Sequence, residues 1–570
     1  MTKYMVKGVG EVDLGQKNFL AKGGQGSVFN RGQIAYKIYD DPTKMLSLGK
    51  IQELSVLNHP NIIKPENIVL NNKNKIVGYT MKYVNGHVLC QLFTKSFKQR
   101  NNVTEKDTLQ LVQKFYELVE FVHQKNILVV DLNELNWLVS DNFKEIYAID
   151  TDGYQTKSFP ATVIMDNIRD RHCKNNNFTK ETDWFSWGIL TSQLILGIHP
   201  YRGNHPKYTS LPINQRLDAR MTDNVSIFNK DAKVPAICPP FDTIPSGLLA
   251  WMKAVFEEGK RIKPPKDFEQ GIVIVVDIKH ITGSDLFNIN DYFSSEEEII
   301  SYYSHHGDEI FAGHNKIKFE NKVYSIPAKN PLFAFSSNNN QPLCVYIDSG
   351  KLRVYNIVLQ EELNVNINAI NLMENNGTIY IQNNTQIFEL KFVEFGKNIT
   401  CVTNTVANVL DIPGATKVFD GVVVQNMLGR YIASYFPQPA HCYQLNIKEL
   451  DGYKIIDAKY ENNVLVVVGI TLQGQYDRFV FRLDKSNYDC RKVENILFTG
   501  LNFVVNDAGV CVLLNEEEHI EIFSNKINSG KVKEIEDNCI SGDMKLYCNG
   551  SKILFSKGNK MFSLSMKNTK

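Results

Sequence analysis

The spacing of apolar positions divides the chain at about residue 265. Before that point, strand-like and helix-like runs alternate. "QIAYKIYD" and "KIVGYTMKYV" gather β-branched and aromatic residues into short apolar runs, the pattern of strands. "TEKDTLQLVQKFYELVEFVHQKN" sets Leu109, Leu111, Val112, Phe115, Leu118, Val119 and Val122 at helical spacing, with Thr104 ahead of Asp107 as a capping arrangement. "ETDWFSWGILTSQLILG" is apolar almost throughout, which predicts a buried helix stopped at Gly197. "EGKRIKPPKDFEQG" then interrupts helical spacing with charge and a Pro-Pro pair, which predicts a linker.

From about residue 272 the pattern changes to short strands separated by turn formers. "GIVIVVDIKHI", "CVYIDSGKLRVYNI", "TIYIQNNTQIFEL", "NNVLVVVGI", "DRFVFRLD" and "KILFSKGNKMFSL" are representative. Strands at close intervals joined by tight turns predict an all-β sandwich, barrel or propeller. Roughly 300 residues is long for one sandwich and suits a propeller of six or seven four-stranded blades. "NDYFSSEEEIISYYSHHG" is expected to be the one helical interruption.

Composition narrows the class. A chain of 570 residues is too long for one core, so two or more domains are expected. A net charge of +1 gives no electrostatic case for nucleic acid or an anionic membrane surface. No apolar run approaches the roughly 20 residues a membrane helix needs. "MTKYMVKGVGEVDLG" lacks the apolar core of a secretion signal. Ten scattered cysteines with no C-x-x-C pair suit reduced thiols in the cytoplasm.

Candidate chemistry begins at "FLAKGGQGSVFN", residues 19–30. Such a loop either cradles a phosphate or simply turns the chain, since glycine serves both ends. Residues further along the chain decide between the two uses. Lys37 ends "IAYK", nine residues after Val28. "VVDLNELNWLV" places Asp131 and Asn136 with four residues between them, and "IYAIDTDGYQ" places Asp150 at the end of an apolar strand, 19 residues after Asp131. "TDWFSWGIL" and "GIHPYRG" complete the order.

Together these pieces resemble the protein kinase family over roughly residues 15–265. They are most similar to divergent bacterial and phage serine/threonine kinase-like proteins with a D-x-N-x-x-N catalytic loop and an I-D-x-D metal segment. The resemblance implies an α+β bilobal kinase-like domain over 1–265, with an N-lobe over about 1–84 and a C-lobe over about 85–265. A linker over 266–271 and a β-propeller-like domain over 272–570 would complete the chain. It implies ATP and magnesium as cofactors. Gly23, Gly24 and Gly26 would admit the phosphates beside Val28, and Lys37 would pair with the α- and β-phosphates. Met81, Tyr83 and Val84 would line the adenine, with the backbone of 82–84 hydrogen-bonding it. Asp131 would accept the substrate hydroxyl's proton, and Asn136 and Asp150 would hold the metal. Asp183 would brace the catalytic loop from a buried helix.

The pattern also departs from the family. Val129-Val130 stands for His-Arg, Asn133 for the catalytic-loop lysine, and Asp150-Thr151-Asp152-Gly153 for Asp-Phe-Gly. Asp152 is open between a second metal ligand and a surface carboxylate. The family's helix count lands on Lys50, so Glu53, one turn on, is the expected partner of Lys37. No Ala-Pro-Glu segment comes after Asp150, although Arg261 resembles the arginine that would pair with its glutamate. The expected function is phosphoryl transfer to serine or threonine of a protein, the β-domain recruiting the partner. The alternatives are an inactive ATP-binding scaffold and a kinase fold acting on a small molecule.

Overall fold

The computed structural model describes residues 2–23, 25–266, 283–305, 307–396, 398–410 and 414–567. The strand expected over 271–281 and all but residue 266 of the expected linker lie outside the described residues. The chain opens with a seven-stranded antiparallel sheet. Its strands are β1 (Thr2–Val6), β2 (Gly10–Leu14), β3 (Phe19–Lys22), β4 (Gly26–Arg31), β5 (Ile34–Tyr39), β6 (Ile68–Leu70) and β7 (Ile76–Lys82), in the order β2-β1-β6-β7-β5-β4-β3. This region is mostly sheet, and its one α-helix among the described residues is the short α1 (Leu48–Leu54). Strands β5 and β7 match the runs expected from their apolar pattern. The β1–β2 hairpin extends the sheet by pairing Met5 with Leu70 and Val6 with Val69.

Helices take over after residue 90: α2 (Lys95–Arg100), α3 (Glu105–Gln124), α4 (Lys180–Leu196), α5 (Ile213–Asp223) and α6 (Ser246–Phe256). Thr104 and Asp107 form the expected reciprocal cap on α3, which satisfies two otherwise orphaned amides. Every residue of α4 from Asp183 onward is buried, and Gly197 ends it at φ +74°. A side chain there would meet Phe93 O at 2.7 Å, so glycine is demanded twice over. All four tryptophans pack in this core; the ring of Trp187 sits 5.8 Å from Trp184 and 5.6 Å from Trp251, edge-on in both cases. Each buried indole removes on the order of 200 Å² from water, so this cluster fixes α4 against α6.

From residue 283 onward the described residues form seven four-stranded antiparallel sheets. Six are meanders over 301–325, 332–362, 371–408, 416–446, 454–493 and 503–535. In the seventh, Phe287–Ser294 pairs with Lys560–Met566 from the far end of the chain. Buried apolar clusters join each sheet to its successor, and Ile299 and Tyr302 pack with Leu554 and Met561 to join the last to the first. The segment expected to be helical, 290–307, is instead strand over Phe287–Ser294 and Ser301–His305. Its glutamates favour helix locally, but pairing with Lys560–Met566 and with Asp308–Ala312 satisfies both backbones.

These sheets dock on the helical region. Ile456, Ile470, Tyr476 and Phe498 share one apolar core with Leu89, Leu92 and Phe93. Arg202 bonds Asn495 through both Oδ1 (2.6 Å) and the backbone carbonyl (3.1 Å). Arg100 reaches Asp420 and Asp457, each at 3.4 Å.

Candidate active site

Strand β5 carries Lys37 into the interior, where its residue is 8% exposed. A buried ammonium needs an anion beside it, because desolvation alone would strip its proton. Two carboxylates meet it: Asp150 Oδ1 at 2.5 Å and Asp152 Oδ2 at 2.8 Å. Burial works against the charge on Lys37, but the two aspartates outweigh it and hold the ammonium well above its ordinary range. Asp152 is buried, which by itself would raise its carboxyl, yet Lys37 and the hydroxyl of Tyr39 at 2.7 Å keep it ionised. Asp150 is half exposed and sits in the left-handed region at φ +59°. Of the two readings open for Asp152, the surface carboxylate fails: the residue is buried, and Lys37 and Tyr39 both meet its Oδ2.

Glu53 does not pair with Lys37. It lies in the last turn of the seven-residue α1, and its Oε2 accepts from Ser158 N at 3.1 Å. The helix is too short to carry that carboxylate inward, and the ammonium is already neutralised.

The glycine-rich turn joins β3 to β4. Gly23 N donates to Gly26 O at 2.8 Å and closes it, and Gly24 lies outside the described residues. Gly26 has a second reason to be glycine. A Cβ there would sit 2.2 Å from Ile38 O and 2.8 Å from Tyr39 Cα, so close approach of β4 to β5 excludes any side chain. Val28 stands opposite Lys37 in the ladder, on the same pair of strands. Met81 pairs with Ala35 near the end of β7. Tyr83 donates its amide to Gln33 O at 2.9 Å, so that amide is not available to a base as expected; Val84 comes next, toward the helical region.

The expected base, Asp131, is held at both oxygens. Asn133 Nδ2 donates to Oδ2 at 2.7 Å and Met165 N to Oδ1 at 2.9 Å. Burial pushes its carboxyl upward, and these donors pull it part of the way back. Asn133, conspicuous in the sequence only for the lysine it displaces, therefore holds the Asp131 carboxylate in place. Asn136 donates from Nδ2 to Asp131 O at 3.1 Å, and its own carbonyl accepts from Ile149 N at 2.9 Å. That second bond ties Asn136 to the residue just before Asp150. Two hard oxygen donors on adjoining segments suit magnesium.

Asp183 occupies the bracing position expected of it. Its carboxylate accepts from Val129 N at 2.8 Å and Val130 N at 2.9 Å, with His123 Nε2 at 2.8 Å. Val130 has φ +63°, a conformation costly for a β-branched residue, and these bonds hold it there. The partner of Arg261 is Asp170, gripped at both oxygens at 2.6 and 2.7 Å. Nothing in the sequence marks that aspartate, because the family pattern puts a glutamate after Ala-Pro and "RDRHC" contains neither.

Residues 31–236 match the family model described as Protein kinase domain. The kinase match covers Lys37, Asp131, Asn136, Asp150 and Asp183, and stops short of Arg261. The same region is similar to Myosin light chain kinase family member 4 of Homo sapiens, 30% identical over 168 residues, which are 28% of this chain and 42% of that protein. Myosin light chain kinase 3 of Danio rerio is 28% identical over 32% of this chain and 26% of its own length. Myosin light chain kinase A of Dictyostelium discoideum is 26% identical over 31% and 59% respectively. The chain thus spans between about a quarter and three fifths of these relatives. Among the described residues no helix is long and apolar enough to cross a membrane.

Proposed function

We propose that the chain is a protein kinase of the divergent bacterial or phage type, acting in the cytoplasm. It would transfer the γ-phosphoryl group of ATP, with magnesium, to serine or threonine of a protein. The observation that carries this reading is the convergence of Lys37, Asp150, Asn136 and Asp131, tied through the Ile149–Asn136 hydrogen bond and braced by Asp183. Magnesium would supply charge neutralisation at the phosphates, and Asp150 and Asn136 carry the oxygens that would hold it. Lys37 would bind the nucleotide's phosphates. Asp131, kept oriented by Asn133, would take the hydroxyl proton. Phosphoryl transfer asks mainly for positioning and charge, which these groups would supply.

The domain division we favour places the kinase over 1–265 and the strand-rich domain over 272–570. Seven four-stranded sheets joined in sequence into a ring, with first and last strands paired, support a seven-bladed propeller. Such a ring would recruit the protein substrate or a partner through its loops.

An ATP-binding scaffold without transfer is the second reading. It is favoured by Met165 N, which occupies an oxygen of the expected base, and by the lack of a lysine at Asn133. Incubation with radiolabelled ATP and magnesium, with mass spectrometry of the products, separates the two. Lys37→Ala and Asp131→Asn should each lower transfer by about 10²-fold or more while the proteins stay folded. Undiminished transfer by Asp131→Asn would remove Asp131 as the base.

A further inference from the structure

We propose that Asp152, and not a carboxylate on helix α1, is the positioning residue that aims Lys37 at the phosphates of a bound nucleotide. This rests on the kinase reading above and adds a residue to it. Lys37 contacts two carboxylates, but they are anchored very differently. Asp152 is 6% exposed, and its Oδ2 receives both Lys37 Nζ and the hydroxyl of Tyr39. The turn that carries it, Thr151–Gly153, is pinned by Thr151 Oγ1, which donates to Ile63 O at 3.0 Å. Tyr39 lies two residues beyond Lys37 on β5, on the same face of the strand. Lysine, tyrosine and aspartate therefore form a closed triangle on fixed elements.

Asp150 has no such frame. Its side chain is half exposed, and Lys37 is its one ion-pair partner among the described residues. Together the ammonium and two carboxylates sum to one negative charge. Asp150 carries an oxygen that would hold a divalent cation, whose charge would offset that excess when bound with a nucleotide. Asp152 would then keep the ammonium paired and its direction unchanged.

Helix α1 offers nothing in its place. Glu53 is engaged by Ser158, and the position where the family's helix count expects an acid is Lys50. The acid has moved from the helix to the segment that also carries the metal-site aspartate. Lys37 is consequently paired with two acids carried by one short segment of chain, residues 150–152.

The test uses the full chain and two readouts. The first is modification of Lys37 by an amine-reactive acetylating reagent without nucleotide, read by mass spectrometry. Only the unprotonated amine reacts, so loss of the pairing carboxylate should raise the rate. We expect at least a tenfold rise in Asp152→Asn and less than a twofold change in Glu53→Gln. The second is binding of a fluorescent ATP analogue with magnesium. Its Kd should rise at least tenfold in Asp152→Asn and stay within twofold in Glu53→Gln. In a Lys37→Met background, Asp152→Asn should add less than a twofold change, because the ammonium it positions is gone. That double variant also removes the unpaired buried charge, which keeps the comparison open if Asp152→Asn alone folds poorly. Unchanged labelling and binding in Asp152→Asn, or equal effects of Glu53→Gln, overturn the proposal. A wild-type chain that fails to bind the analogue, while labelling still responds to Asp152→Asn, overturns the nucleotide reading and leaves only the ion pair.

Discussion

Asp183→Asn tests the brace beneath the catalytic loop. The native carboxylate accepts two backbone amides and faces His123, all within 2.9 Å and fully buried. An asparagine of the same shape presents one oxygen and one NH₂ group. Whichever way it turns, its amide nitrogen faces a donor, and one of the two backbone N–H groups is left without an acceptor. An orphaned buried N–H costs about 1–3 kcal/mol, and losing charge assistance on the surviving bond costs about 1–2 kcal/mol more. The total is about 2–5 kcal/mol. Val130 adds a local consequence. Its left-handed conformation stores on the order of 1–3 kcal/mol of strain, and the freed amide lets the backbone relax toward negative φ. Asp131, the next residue, would move with it. Thermal unfolding monitored by circular dichroism should show the helical region melting roughly 10 °C lower. Phosphoryl transfer at permissive temperature should fall at least tenfold, since misplacing the base by about an ångström is enough. A variant that melts within about 2 °C of the parent would refute the view that the carboxylate, and not merely side-chain volume, holds this loop.

Two further outcomes are expected from the same structure. Gly26→Ala should destabilise the β4–β5 pair by about 1–3 kcal/mol even without nucleotide, because its Cβ would collide with the backbone of Ile38 and Tyr39. Gly23→Ala, whose Cβ would meet only Gly26 O at 3.8 Å, should leave the urea midpoint unchanged; equal effects would sink this distinction. His199 is 5% exposed, its Nε2 lies 2.7 Å from Asn167 O, and its Nδ1 accepts from Tyr201 N. Burial chiefly, helped by nearby arginines, lowers its pKa to about 3. The unfolded chain, near 6.5, binds the proton more readily, so folding stability should fall as pH drops from about 6.5 toward 3. The slope is about 1.4 kcal/mol per pH unit. Urea titrations of His199→Gln should lose that slope between about pH 6 and 4.5, and an identical pH profile in the variant would exclude His199 as its source.

Local periodicity makes much of this fold legible in the sequence. The caps and buried face of α3, the fully apolar α4 with its stop at Gly197, and the strands bearing Lys37 and the 76–82 run all declare themselves within windows of a few turns. Asp131, Asn136, Asp150 and Asp183 could be placed in order because motif spacing is a property of the chain alone. The identity of each partner could not. Lys37 and Asp152 are 115 residues apart, and Arg261 and Asp170 are 91 apart. Several carboxylates satisfy either cation equally well on paper. Which one arrives depends on how the sheet, the short α1 and the 151–153 turn pack, and Asp152 wins because Tyr39 and Thr151 already fix it in place. Strand pairing is degenerate in the same way. Nothing local in 287–294 marks the last described strand, 560–566, as its neighbour, and its glutamate-rich continuation favours helix when viewed alone. Only backbone hydrogen bonding across the closing sheet overrides that preference, and that choice belongs to the tertiary structure.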